Sequence, residues 1–342
     1  MARHLKKLDE QVVVITGASS GIGLATARLA ASRGAGLVLA ARNGDALNQL
    51  ADEIRRGGGD AVAVVADVGK EDDVRGIARA AADRFGGFDT WVNNAGTSIY
   101  GPMSEITTED HRRLFETNFW GVVYGSLEAA RHFRGKGGTY AGALINVGSV
   151  LSDRAIPIQG MYCASKHAVK GFTDALRMEL EEEGVPAFVT LVKPSAIDTP
   201  FPQHARNYMD EEPTLPPPVY APDVVARAIL HCAESPERDV TVGGGGKSIA
   251  AMGMVPRIAD KVMEATLSEA QKKGEPPRNP AGALHAPTFG MKERGDYPGH
   301  VLKSSAYTAA SLHPIWTGLL VVGAGLAVAA LVVGTPSNGR RG

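Results

Sequence analysis

The sequence predicts an α/β protein built on a Rossmann-like, doubly wound parallel sheet of about seven strands, with helices on both faces. A C-terminal extension and a hydrophobic helix are expected to follow it. Two observations lead to this prediction. Short apolar runs alternate with helical stretches from residue 12 to residue 242, a pattern typical of βαβ units with right-handed crossovers. In addition, a glycine-rich turn follows the first apolar run and precedes a helix, which is where such folds bind phosphate groups.

The predicted elements follow one another through short connections. The apolar runs predict strands at residues 12–15, 36–41, 61–66, 90–92, 143–147, 187–192 and 239–242, because buried parallel strands form near-continuous hydrophobic segments. Helices are expected between them at residues 24–33, 45–56, 71–85, 108–134 and 162–183. A further helix is expected over 249–271, interrupted once at Pro256.

The length of 342 residues exceeds the size at which one α/β core usually stops growing. We therefore divide the chain into a nucleotide-binding catalytic domain (1–250), a helical and irregular extension with a linker (251–314), and a hydrophobic helix (315–333). The 36 basic and 37 acidic residues nearly balance, so the composition implies no polyanionic partner. Cys163 and Cys232 form no disulfide framework, and the nine histidines show no paired metal-ligand spacing.

Three glycines define the turn after the first strand. Gly17 permits the tight turn, Gly21 lets the backbone approach a pyrophosphate, and Gly23 lets the helix pack closely on the strand. Free N–H groups at the positive end of the helix would then bind the phosphates. The alternative is an ordinary glycine-rich turn, which the strand before it and the helix after it disfavour.

Tyr162 and Lys166 lie four residues apart, so they share one face of a helix. An ammonium group beside a phenol favours the phenolate, and we therefore expect the tyrosine pKa to fall toward the range useful for general acid/base catalysis.

A set of motifs in this order resembles the short-chain dehydrogenase/reductase family over roughly residues 8 to 245. The motifs are Thr16-Gly17-x-x-x-Gly21-x-Gly23, Asn93-Asn94-Ala95-Gly96, Ser149, Tyr162-x-x-x-Lys166 and Pro194-Ser195-x-Ile197-x-Thr199. This resemblance implies a nicotinamide-dependent oxidoreductase that interconverts a carbonyl group and a secondary alcohol.

The resemblance also implies the catalytic residues Ser149, Tyr162, Lys166 and Asn118. Ser149 would orient the substrate oxygen and Tyr162 would exchange a proton with it. Lys166 would lower the Tyr162 pKa and bind the nicotinamide ribose, and Asn118 would hold a water in a proton relay. Two alternatives stay open: Ser152 as the serine, and Asn118 as a locally satisfied helix residue.

Coenzyme preference is expected to depend on Arg42. NAD-binding sites usually carry Asp or Glu after the second strand, whereas this position suits the 2′-phosphate of NADP. We therefore predict NADP, with NAD less favoured, although Ser20 stands where many NADP-preferring relatives have a second basic residue.

Asp67 is expected to bind the adenine or else to cap its turn, and Ser195 replaces the more usual glycine. The expected coenzyme-binding residues are Gly17, Ser19, Ser20, Gly21, Ile22, Gly23, Arg42, Asp67, Val68, Asn94, Ala95, Gly96, Tyr162, Lys166, Pro194, Ile197 and Thr199.

Three segments are candidate walls of the substrate pocket: residues 97–103, 151–159 and 201–219. The aromatic and apolar residues Phe201, Tyr208 and Met209 are expected to form a lid over a lipophilic ketone or secondary alcohol. The alternative is a surface loop whose aromatic side chains only pack on the domain.

Residues 315–333 carry no charge and span about 28 Å as a helix, close to the thickness of the hydrocarbon core of a bilayer. Trp316 lies at one end and Arg340 and Arg341 lie beyond the other. We expect a C-terminal membrane anchor with the catalytic domain in the cytoplasm, since the charged N-terminal residues 1–10 do not read as a signal peptide. A helix docked on a partner subunit is the alternative, and a homo-oligomer stays open.

Two other functions stay open at this stage: an epimerase or dehydratase on the same fold, and a catalytically silent, coenzyme-binding membrane scaffold. The first is disfavoured because no substrate domain is visible, and the second because Ser149, Tyr162 and Lys166 are all present.

Overall fold

The structure, a computed structural model, describes residues 3–137, 139–244, 256–288 and 290–312. Its main sheet has seven strands, all parallel. They are β1 (Val12–Thr16), β2 (Gly36–Ala41), β3 (Ala61–Val65), β4 (Thr90–Asn93), β6 (Gly142–Val147), β7 (Ala187–Pro194) and β11 (Asp239–Val242). Short pairs involve β5 (Ile99–Tyr100), β8 (Ala196–Ile197), β9 (Arg206–Asn207), β10 (Val219–Tyr220) and β12 (Val301–Leu302).

The strand order of the main sheet is β11-β7-β6-β4-β1-β2-β3. The order reverses at β1, where Val13 lies opposite Leu37 of β2 on one side and Thr90 of β4 on the other. Ligands of doubly wound sheets bind beyond the carboxyl ends of the strands at this reversal. The topology confirms the predicted fold class and its seven strands.

Helices cover both faces of the sheet. They are α1 (Gly21–Ser32), α2 (Gly44–Arg56), α3 (Glu71–Phe85), α4 (Thr108–Phe115), α5 (Gly121–Arg134), α6 (Gly160–Glu182), α7 (Phe201–His204), α8 (Pro222–Glu234), α9 (Pro256–Ala270) and α10 (Ala306–Leu312). A π-helical turn, Glu116–Trp120, joins α4 to α5, so the single helix predicted at 108–134 carries a widened turn in its middle. Helix α9 begins at Pro256, and residues 249–255 of the predicted helix lie outside the described residues.

The core lies on both faces of the sheet because successive side chains of a strand point to opposite sides. Val13 and Ile15 of β1 belong to the cluster beneath α1, α2 and α8. Val14 belongs instead to the cluster beneath α3, α5 and α6. All three side chains are fully buried, which explains the continuous apolar run in the sequence.

The C-terminal extension packs on the edge where the carboxyl ends of the strands lie. Strand β12 pairs with β10, which in turn pairs with β8 just after β7. Met263 of α9 is buried in an apolar cluster with Tyr162 and Ile156. The hydrophobic helix expected at 315–333 lies outside the described residues. Among those that the structure describes, no helix combines the length and apolar character needed to cross a membrane.

Candidate active site

The glycine turn between β1 and α1 has the tight geometry expected from the sequence. Gly17 and Gly21 have φ values of +68° and +55°, which favour glycine. A Cβ atom on Gly23 would lie 2.2 Å from the Gly17 carbonyl oxygen. Any side chain at Gly23 would therefore push α1 away from the turn. This glycine thus allows the close packing of α1 on the turn.

A cavity of about 560 Å³ begins at this turn and runs along the carboxyl edge of the sheet. All the expected coenzyme-binding and catalytic residues line it except Gly23 and Asn118. Its size falls within the usual range of small-molecule sites. A cavity of the size of a ligand site is therefore formed where the topology predicts one.

Arg42 lies at the end of the cavity nearest β2. Its guanidinium donates to the carbonyl oxygens of Ala283 and Leu284, the latter at 3.1 Å. Both acceptors are neutral, and within the described part of the chain no carboxylate forms an ion pair with Arg42. Burial, followed by the positive charge of Arg113, lowers the Arg42 pKa. The site therefore contains a half-buried cation that an anionic ligand would stabilise.

Asp67 is paired with a residue that the sequence analysis did not select. Arg113 Nη2 donates to Asp67 Oδ2 at 2.6 Å, and the Gly69 N–H donates to Oδ1 at 3.0 Å. Arg113 Nε also donates to the Leu284 carbonyl oxygen at 3.2 Å. Asp67 thus caps its own turn, as the alternative proposed, and still lines the cavity.

Ser149, Tyr162 and Lys166 all line the cavity, and all three are buried. Ser149 follows β6 and interacts with the Tyr162 phenol, whose pKa it lowers, while its Oγ accepts from the Leu151 N–H at 3.1 Å. Lys166 Nζ lies 5.8 Å from the centroid of the Tyr162 ring and donates to the Val147 carbonyl oxygen at 2.9 Å. The helical spacing of four residues therefore brings the phenol and the ammonium together, as predicted.

The expected fall in the Tyr162 pKa is wrong for this structure. Burial raises the pKa of the phenol above its ordinary value, and the hydrogen bond with Ser149 offsets only part of that rise. Burial also lowers the pKa of Lys166 to about 8. Both shifts have burial as their largest cause, because a buried group loses the hydration that stabilises its charged form.

Ser152, the alternative serine, is buried and does not line the cavity. Its Oγ accepts from the Ser149 N–H at 3.2 Å, which completes a capping box around the turn Val150–Ser152. Ser152 therefore orients the backbone of Ser149.

Asn118 lies in the π-helical turn and is fully buried. Its amide donates to the Thr97 carbonyl oxygen at 2.9 Å and to Ser165 Oγ at 3.1 Å, and its Oδ1 accepts from the Thr97 N–H at 2.8 Å. These partners lie 21 and 47 residues away, on the segment after β4 and on α6, so the side chain is satisfied by tertiary contacts and not locally as the alternative proposed. Single π-helical turns occur often at functional sites, and Asn118 Oδ1 lies on the same side of Gly96 as Lys166 Nζ.

The substrate end of the cavity is largely apolar. The Phe201 ring lies 5.6 Å from the Tyr162 ring, and residues 215–218 form part of the wall. Tyr208 and Met209 do not line the cavity, contrary to expectation. The Tyr208 hydroxyl donates instead to Asp110 at 2.8 Å.

Helix α9 supplies walls that sequence reasoning missed: Val262, Met263, Thr266 and Leu267. No motif marked these residues, since their role depends on how the extension folds back on the core.

Comparisons with known proteins agree with this geometry. The family model for the short chain dehydrogenase matches residues 11–210. The chain therefore belongs to the short-chain dehydrogenase/reductase family, and it is an NAD(P)-dependent oxidoreductase acting on CH–OH and C=O groups.

One relative and two solved structures illustrate the similarity. The uncharacterized oxidoreductase YxnA of Bacillus subtilis is 49% identical over 323 residues, which is 93% of this chain and 90% of that protein. A short-chain dehydrogenase/reductase from Burkholderia phymatum in complex with NAD is 25% identical with a TM-score of 0.62, over 81% of this chain and 99% of that one. The alcohol dehydrogenase of the archaeon Thermococcus sibiricus complexed with 5-hydroxy-NADP is 28% identical with a TM-score of 0.57, over 68% and 95%.

Proposed function

We propose that this protein is an NADP(H)-dependent carbonyl reductase or alcohol dehydrogenase in which Tyr162 is the general acid and base. The observation that carries the proposal is the convergence of Ser149, Tyr162 and Lys166 in one buried cavity with the glycine turn. The bound coenzyme supplies a hydride to the carbonyl carbon or accepts one from the alcohol carbon.

The residues of the chain handle the substrate oxygen. Ser149 donates a hydrogen bond that orients it, and Tyr162 gives it a proton during reduction. A buried phenol with a raised pKa stays protonated at neutral pH, which is the form needed to donate. In the oxidation of an alcohol, Tyr162 takes that proton back, and the Lys166 ammonium stabilises the phenolate that accepts it.

The preference for NADP rests on Arg42. The surroundings of this half-buried guanidinium contain two carbonyl acceptors and a second arginine, Arg113, whose charge Asp67 already offsets. Two of the five N–H groups of Arg42 bond to the extension, which leaves others for a 2′-phosphate. A phosphate is the ligand that such a site stabilises most.

The coenzyme preference is tested by replacing Arg42 with Gln, which removes the charge and keeps an amide donor. We expect KM for NADPH to rise about 10- to 100-fold, as for loss of a hydrogen bond to a charged group, with KM for NADH little changed. Arg33→Gln is the matched control because Arg33 pairs with Glu234 at the far end of α1. A wild-type protein that favours NADH more than tenfold would overturn the NADP proposal.

We further propose a lipophilic carbonyl or secondary alcohol as the substrate, because Phe201, Ile156, Met263 and Leu267 line the reacting end of the cavity. The test follows the absorbance of the reduced coenzyme with ketones, steroids, retinoids and long-chain alcohols, alongside small polar analogues. Higher kcat/KM for the polar analogues would contradict a lipophilic substrate.

The uncharged segment 315–333 supports the proposal that the protein is anchored to a membrane at its C-terminus with the catalytic domain in the cytoplasm. Membrane pelleting that resists carbonate should disappear when residues 312–342 are deleted. Pelleting that persists after the deletion would refute the anchor.

A further inference from the structure

The C-terminal extension forms part of the cavity wall beside Arg42 and Asp67, the end at which the adenosine half of the coenzyme is expected. We call residues 283–288 and 290–295 the cover segment. Ala283, Pro287 and Thr288 line the same cavity as Arg42 and Asp67. The family model ends at residue 210, so the cover segment lies outside the part of the chain that defines the family.

The first part of the cover segment is attached to Arg42, which is expected to bind the 2′-phosphate, and to two other polar side chains, Arg113 and Asn43. Arg42 donates to the carbonyl oxygens of Ala283 and Leu284. Arg113 Nε donates to the Leu284 carbonyl oxygen, so two guanidinium groups share one acceptor. Asn43 Nδ2 donates to the Thr288 carbonyl oxygen at 2.7 Å.

The second part of the cover segment is attached to the glycine turn and to α1. The Gly21 N–H donates to the Lys292 carbonyl oxygen at 2.9 Å. Glu293 pairs with Arg28 of α1 at 2.7 Å. Arg294 pairs at 2.7 Å with Asp198, which is almost fully buried. The cover segment is thus held on both sides of the position where the pyrophosphate would lie.

The cavity persists beneath these contacts, since residues of the cover segment and of the glycine turn line the same volume of about 560 Å³. The Lys292 carbonyl oxygen uses one N–H group that was expected to be free for phosphate, that of Gly21, while the rest of the cavity stays open beneath the segment. We propose that the cover segment closes over the adenosine half of the bound coenzyme and limits the rate at which the coenzyme leaves. This inference rests on the proposed function, in which the coenzyme occupies this cavity.

The physical reason is that the attachments of the cover segment must break before an enclosed dinucleotide can leave. Several of them are hydrogen bonds from arginine to backbone carbonyl groups, which are stronger than bonds between neutral groups. Weakening an attachment that does not itself line the cavity should therefore speed release without removing any group that touches the coenzyme.

Glu293→Gln tests this because it breaks the ion pair with Arg28, and neither residue lines the cavity. Dissociation of NADPH is followed by stopped-flow fluorescence while excess NADP⁺ displaces it. We expect the rate constant to rise about two- to fivefold, the range for loss of one partly exposed ion pair. Glu264→Gln is the matched control, since Glu264 pairs with Lys261 on the exposed side of α9, and its rate should equal that of the wild type.

A double-mutant cycle with Arg28→Gln then assigns the effect to the ion pair between Arg28 and Glu293. If the pair alone is responsible, the variant with both substitutions should release NADPH no faster than Glu293→Gln does. Hydrogen exchange provides a second readout: the amides of the cover segment should gain protection when NADPH binds. If Glu293→Gln and Glu264→Gln release NADPH at the same rate and the cover segment gains no protection, the inference is wrong while the proposed function stands. If no nicotinamide coenzyme binds at all, the proposed function itself fails.

Discussion

The parallel sheet and the C-terminal extension are held in place by different kinds of contact. In the sheet, Val13, Val14 and Ile15 are fully buried, and the helices cover them from both faces. In the described part of the extension, the buried apolar side chains are Ala259, Met263, Ala283 and Leu284, and polar contacts do much of the attachment. The sheet therefore fixes the general shape of the site, whereas the extension depends on hydrogen bonds and ion pairs with residues of that site.

This difference matters for catalysis because the two regions control different parts of the cavity. The reacting groups, Ser149, Tyr162 and Lys166, follow strand β6 or lie on the long helix α6. The extension contributes part of the cavity wall through α9 and through the cover segment beside Arg42. We therefore expect changes in the core site to abolish turnover, and changes in the extension to alter stability or ligand exchange.

The largest effect is expected for Tyr162→Phe. Removing the phenol oxygen removes the proposed proton donor, and general acid/base catalysis typically contributes about 10²- to 10⁴-fold to the rate. We expect kcat to fall by about that factor, with unchanged denaturant unfolding and unchanged coenzyme affinity. Tyr208→Phe is the control, since the Tyr208 hydroxyl bonds to Asp110 outside the cavity and its loss should leave kcat nearly unchanged. Near wild-type turnover by Tyr162→Phe would eliminate the proposed role.

The sequence was informative where local patterns encode the structure. The seven strands and most helices were predicted because apolar runs and glycine turns are local signals. The residues expected at the site, apart from Gly23 and Asn118, also line one cavity, since the carboxyl ends of parallel strands meet at one edge.

The contacts of the extension were not predictable in this way. Arg42 and Leu284 are separated by 242 positions, and no pattern in the sequence predicts that Arg42 donates to the Leu284 carbonyl oxygen. Arg113 was likewise missed because its partner, Asp67, lies 46 positions away. The direction of the Tyr162 pKa shift was wrong because spacing shows which charges are close, whereas burial is known only from the packed structure.

A smaller effect is expected in the pH dependence of stability. It concerns one buried cation of the core site, Lys166. Burial lowers the pKa of Lys166 from 10.5 to about 8. Between those two pH values the unfolded chain keeps the proton that the folded protein has lost, so the free energy of unfolding rises with pH in that window. The free energy of unfolding of Lys166→Met minus that of the wild type should therefore decrease by about 2 kcal/mol between pH 7.5 and pH 10.

Urea unfolding of both proteins without coenzyme measures this difference, and the comparison cancels titrations that the two proteins share. Lys170→Met, on the same helix, is the control because Lys170 pairs with Asp153 and keeps 39% of its side-chain surface exposed. A pH-independent difference between Lys166→Met and the wild type would show that Lys166 does not titrate as its burial implies.

The smallest effect is expected in the extension, for Gln271→Leu. Gln271 is fully buried at the end of α9, and its Oε1 accepts from Gln159 Nε2 at 2.6 Å. Leucine fills similar space but leaves the Gln159 amide, which lines the cavity, without its acceptor. A buried donor left unpaired should lower the free energy of unfolding by about 1–2 kcal/mol and raise the substrate KM more than it changes kcat.

The control for this last prediction is Asp260→Asn, which breaks the more exposed ion pair between α9 and Arg154. Because solvent screens that pair, its loss should cost less than about 1 kcal/mol, and the cost should shrink further in high salt. If Asp260→Asn destabilised the protein as much as Gln271→Leu, buried hydrogen bonds would not be the principal attachment of α9. Exposed ion pairs would then be a main contributor to the attachment of the extension, alongside its buried hydrogen bonds.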